Sequence, residues 1–170
     1  MQRRTLLKLG VATGTALALI GGSVSLLHEP AWRDGRLTDA GRAVLGAVAR
    51  AVLDGSLPAA LAPREIALAA HLDRMDATLR ALPTAMQREI ADLLALLAIP
   101  PGRLALAGLT TDWPRADVLQ LQSALQGMRA SRVSLRQQAY HALRDLTHGA
   151  YFADSATWSQ LGYPGPTPID

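Results

Sequence analysis

The stretch Leu37–Pro58, LTDAGRAVLGAVARAVLDGSLP, decides the fold. Val44, Leu45, Val48, Val52 and Leu53 recur at intervals of three and four, the period of one helix face. Thr38 stands where an N-cap belongs, and Gly55 with Pro58 ends the pattern. The stretch predicts a helix over 39–54. The rest of the chain repeats this grammar, with no strand-period run of any length and no internal repeat. A second helix is expected over 63–81, with Pro63 in its first turn. Ile66, Ala69, Ala70, Leu72, Met75 and Leu79 are expected inside, and Arg64, Asp73, Arg74, Asp76 and Arg80 mostly outside.

Further on, Thr84 and Gln87 match a capping box for a third helix over 85–98, carrying Met86, Ile90, Leu93, Leu94 and Leu97. Ile99-Pro100-Pro101-Gly102 reads as a break, followed by a short helical turn over 104–109. Trp113-Pro114 opens a fourth helix over 115–129, with Val118, Leu119, Leu121, Leu125 and Met128. A fifth runs over 134–151. Ser155–Gly162, SATWSQLG, is a short sixth, capped by Asp154 or Ser155. The expected fold is all-α: one helical domain of five main helices over 38–161, preceded by a linker over 28–37 and followed by an extended tail over 162–170.

Composition agrees. Ala and Leu dominate and β-branched residues are sparse, which favours helix over sheet. The chain has 170 residues and no cysteine, which excludes disulfides, thiolate nucleophiles and cysteine-ligated metals. Its net charge of +3 comes from Arg3, Arg4 and Lys8 alone; without them, basic and acidic residues balance and are mixed throughout. A nucleic-acid footprint needs a clustered basic face, so no nucleic-acid partner is expected.

The segment 1–27 reads as an address. Arg3 and Arg4 precede Leu6, Leu7 and Lys8, and an uncharged run follows from Leu9 to Leu27. This resembles a twin-arginine (Tat) signal. It implies the Tat translocase as a partner and a periplasmic destination. The run holds no Ala-x-Ala, so cleavage near Ser23 and Ser25 and retention as an inner-membrane anchor both stand. The Tat route carries folded proteins, commonly because a cofactor was inserted in the cytoplasm.

No cofactor motif is recognisable in the body. It lacks a glycine-rich phosphate loop, a Gly-x-Ser-x-Gly elbow and a haem-attachment motif. No catalytic, cofactor-binding or metal residue is assigned. One polar cluster is the alternative: His141, Asp145 and His148, at i, i+4 and i+7, lie near one helix face and would suit a divalent metal in a stand-alone exported enzyme. The simpler reading is a solvated or partner-facing helix surface, and a free periplasmic helical binding module stands as the further alternative. His71, among Ala and Leu, reads as a partly buried histidine with its hydrogen bonds satisfied.

The C-terminal end is unlike the body. Of seven aromatic residues, Tyr140, Tyr151, Phe152, Trp158 and Tyr163 all follow residue 139. Leu143, Leu146, Gly149, Tyr151, Phe152, Trp158, Leu161, Gly162, Tyr163, Pro164 and Gly165 resemble the closing segment of the gluconate 2-dehydrogenase subunit 3 family. These are small subunits of membrane-associated flavoprotein dehydrogenases. The resemblance implies a non-catalytic accessory subunit with no cofactor of its own. It would escort a large FAD-bearing (GMC-type) dehydrogenase subunit through Tat as a hitchhiker chaperone. A cytochrome c subunit carrying haem c is implied as a further partner. Rigid rings suit interface anchors, so Tyr151, Phe152, Trp158, Leu161, Gly162, Tyr163, Pro164 and Gly165 are the expected docking residues.

Overall fold

The computed structural model describes residues 30–165; the signal-like segment and residues 166–170 lie outside them. The architecture is the all-α single domain expected from periodicity. A two-stranded hairpin, β1 (Trp32–Arg33) and β2 (Arg36–Leu37), precedes six α-helices: α1 (Asp39–Val52), α2 (Leu61–Ala81), α3 (Thr84–Ala98), α4 (Pro100–Ala107), α5 (Val118–Arg129) and α6 (Ser134–Phe152). A 3₁₀ helix, Ser155–Leu161, closes the described chain.

Helix α1 is the hub. It contacts α2, α3, α5 and α6, and Val44, Leu45 and Val48 are fully buried. Its small residues allow close approach on several sides. Asp76 of α2 stands by Arg42, and Leu72 stands over Gly46, so α1 and α2 run antiparallel. Leu93, Leu94 and Leu97 of α3, Leu121 and Met128 of α5, and Leu143 of α6 complete the core.

The segment expected to be a linker departs from that reading from Pro30 onward. Trp32 pairs with Leu37 and Arg33 with Arg36 in antiparallel register. Ala31 and Leu37 are buried against the start of α1. Gly41 makes this fit possible, since a Cβ there would overlap the Ala31 carbonyl oxygen. Buried Asp76, expected outside, anchors the hairpin. It accepts the Leu37 N–H at 2.8 Å and an Arg42 N–H at 3.3 Å. Its role was hidden because the partner amide lies 39 residues away.

Proline accounts for another departure. The expected break at Ile99 is present, but helix resumes at once rather than at Leu104: Pro100 and Pro101 begin α4, where a missing N–H costs nothing. The axis bends by 102° there. Gly102 lets the turn press onto the Leu96 carbonyl, which any Cβ would strike. Trp113-Pro114, by contrast, does not open a helix. Trp113 is a buried plug whose indole N–H donates to the Leu97 carbonyl at 2.8 Å, while its own carbonyl accepts from Arg50 at 2.9 Å. Helix α5 starts later, with Asp117 and Gln120 forming a reciprocal capping box. At α3 the expected box does not form: Gln87 Nε2 donates to the Leu82 carbonyl instead. Thr38 is the N-cap of α1, but its hydroxyl donates to the Pro30 carbonyl.

Arginine is the clamp of this fold. Arg136 donates to the Leu106 carbonyl at 2.7 Å, Arg80 to Gly35 at 3.0 Å and Arg74 to Ala150 at 3.3 Å. Buried Arg103 donates to the carbonyls of Leu109 and Thr110 and pairs with Asp112 at 2.8 Å. Each guanidinium ties a helix end or loop to another element, using a planar fork that an ammonium does not offer.

Candidate functional site

Three regions hold the chain's unusual chemistry. The first is the aromatic end. The last turn of α6 points Tyr151 inward, against Ala49 of α1 and Leu53 just past its end. Its hydroxyl donates to the Ser56 carbonyl at 3.0 Å and meets Gln160 Oε1 at 3.1 Å. Tyr151 is thus buried within its own domain, which corrects its expected place among the docking residues. The physical reason is the ring's phase on α6: it falls on the face that meets α1 and α2.

Phe152 and Trp158 are half-buried, and the Trp158 indole N–H donates to the Phe152 carbonyl at 2.7 Å. The chain turns at Gly162 (φ 67°), capping the 3₁₀ helix. Tyr163 then folds onto Trp158 with ring centroids 5.3 Å apart, and a Cβ added at Gly165 would lie 3.7 Å from the same indole. Tyr163 is 47% exposed and Pro164 is exposed. For Leu161 only its backbone place, at the end of the 3₁₀ helix, is described. The expected docking set therefore divides: Tyr151 serves the core, while Trp158, Tyr163 and Pro164 present a surface.

The second region lies beneath Tyr151. His71 of α2 is fully buried, 6.1 Å from the Tyr151 ring in an edge-on arrangement. Among the described residues neither ring nitrogen has a hydrogen-bond partner, which corrects the reading of a satisfied histidine. Desolvation, with the nearby Arg74 charge second, pushes its pKa down to about 4. At neutral pH the ring is uncharged. No spacing in the sequence marks this residue as special.

The third region is a cleft of about 570 Å³ between α1 and the first half of α2. Ala43, Gly46 and Ala47 form its floor, and Leu57, Leu61 and Leu68 its apolar sides. Ile66, expected inside, is 71% exposed beside it, and Leu61 is 70% exposed. Ala69 and Ala70, also expected inside, are exposed as well, while Leu68 packs against the cluster of Ala49, Leu53 and Tyr151. Elsewhere Met86 and Leu119 are exposed as well, against expectation.

The polar cluster does not converge. His141 and Asp145 point to solvent, and Asp145 binds Arg144 at 2.7 Å. His141 lies by the Tyr140 ring, and His148 is tilted against Phe152. Among the described residues, no group of three or more His, Asp or Glu side chains is placed to hold a metal ion. Among the same residues, no single helix is long and apolar enough to cross a membrane. Arg3, Arg4, Leu6, Leu7 and Lys8 lie outside them.

These features define a mostly α single-domain protein with an aromatic terminal surface and an open apolar cleft. Comparison with protein-family models, curated proteins and solved structures finds no match for the chain.

Proposed function

We propose that this chain is the non-catalytic small subunit of a periplasmic flavoprotein dehydrogenase. It carries the folded FAD-bearing subunit through the twin-arginine route and supports its maturation. Haem c, where the complex uses it, belongs to a cytochrome subunit. The observation that carries this reading is the terminal surface: Trp158 and Tyr163 are paired and partly open, and the backbone leaves the helical body at Gly162. Large rigid rings with few torsions are the side chains that anchor interfaces at low entropic cost. The twin arginines and the likeness of the closing segment to subunit 3 proteins supply the cargo's identity.

Association is non-covalent, since the chain has no cysteine. The test is co-expression with a GMC-type flavoprotein subunit from the same organism. Full-length chain retains the flavoprotein on an affinity column. A chain ending at Gly162 stays helical, melts cooperatively and fails to retain it. Unimpaired retention by the truncated chain overturns the role given to the tail.

A further inference from the structure

We propose that the cleft between α1 and α2 receives the chain's own apolar run, Leu9–Leu27, before export. Position is the first argument. The run ends three residues before Pro30. Pro30 and Ala31 are held to the start of α1 by Thr38, through hydroxyl and amide donors at 2.8 and 3.1 Å. The cleft opens one turn further along α1, at Arg42 and Ala43. Three extended residues reach about 10 Å, so the run is delivered to the mouth of the cleft. Its tether keeps it at an effective concentration on the order of millimolar.

Length agrees. The 14-residue α1 is about 21 Å long. A 19-residue run, if helical, is about 28 Å. It therefore covers the cleft and brings Lys8, Arg4 and Arg3 beyond its far end. That end carries the C-terminus of α1, whose dipole favours cations, and the exposed carboxylates Asp54 and Glu65, which lie beside Arg50 and Arg64 so that side-chain charge there is balanced. The small-residue floor accepts a close helix, and the run offers Gly10, Gly14, Gly21 and Gly22 for close approach. A run sheltered in this way keeps an apolar segment out of water until the export machinery draws it out. The inference rests on the run's sequence and the cleft, and is independent of the flavoprotein partner.

The absence of native cysteine permits a clean test. Leu61→Cys, at an exposed rim position, is labelled with a benzophenone maleimide in the full-length chain purified from cytoplasm. Illumination and peptide mapping identify the cross-linked residues in the monomer band. The expected result is attachment to residues 9–27 of the same chain. Ala69→Glu, an exposed change that places a charge in the cleft, lowers that yield at least fivefold without changing the melting temperature. Cross-links confined to the helical body or to residues 166–170 overturn the proposal. A cross-linked dimer without the intrachain product assigns the cleft to a second copy and overturns it too.

Discussion

Acid should destabilise this protein through His71, by an amount the structure sets. The ring is fully buried, and its folded pKa is about 4 against an ordinary value of 6.5. A proton therefore binds the unfolded chain more tightly than the folded one. The sign follows: His71 leaves stability intact above its unfolded pKa and erodes it as pH falls from there towards the folded pKa. At about 1.4 kcal/mol per pKa unit, the full loss is on the order of 3 kcal/mol, with roughly 2 kcal/mol gone by about pH 5. Its neighbours give no relief, since Arg74 repels the imidazolium and the Tyr151 ring meets it edge-on. His71→Leu removes the titration and both unpartnered nitrogens. Replacing an unsatisfied buried polar group with an apolar one is neutral or stabilising, so this variant should equal or exceed the parent at about pH 8. Urea unfolding of both proteins between about pH 8 and pH 4.5 measures the difference, and carboxylate effects common to both cancel. The parent should lose about 2 kcal/mol more than the variant by pH 5. Parallel profiles would refute the reasoning.

Other expectations concern the hairpin, the plug and the terminal surface. Asp76→Ala strands the Leu37 amide and one arm of Arg42, and should cost about 2–4 kcal/mol in urea unfolding. Trp113→Phe keeps a ring but leaves the Leu97 carbonyl unbonded, at a cost of about 1–3 kcal/mol; Trp113→Ala should cost about 3–5 kcal/mol. Trp158→Ala should weaken flavoprotein binding by about 2 kcal/mol or more, measured by titration calorimetry. A loss of stability in the isolated chain, with binding retained by its folded fraction, would make Trp158 a core residue only.

The helices were legible because their apolar residues recur at one period, and Val44, Leu45 and Val48 do face the core. What escaped was non-local or too short to have a period. Two-residue strands carry no alternation to read. Asp76 looked like a surface charge because its ligands are Leu37 and Arg42, brought beside it only by the fold. Ile66 sits at a core-like phase, yet it is exposed while nearby Leu68 packs on the Ala49, Leu53 and Tyr151 cluster, and phase alone does not say which side of a helix meets a neighbour. Pro100 was ambiguous by chemistry, since proline both stops one helix and starts the next. In the terminal surface, the crowding of rings was visible in sequence. Which rings turned inward was not, because Tyr151 and Phe152 differ by one step of helical phase.

The central claim is that this chain supplies the export address for a partner. Arg3→Lys with Arg4→Lys keeps the charge and removes both guanidinium forks. With the two genes co-expressed, cell fractionation and flavin-linked dehydrogenase activity report where the partner goes. Both proteins should stay in the cytoplasm when the arginines are replaced, and both should reach the periplasm when they are intact. Arrival of active flavoprotein in the periplasm beside the double-lysine chain would contradict it.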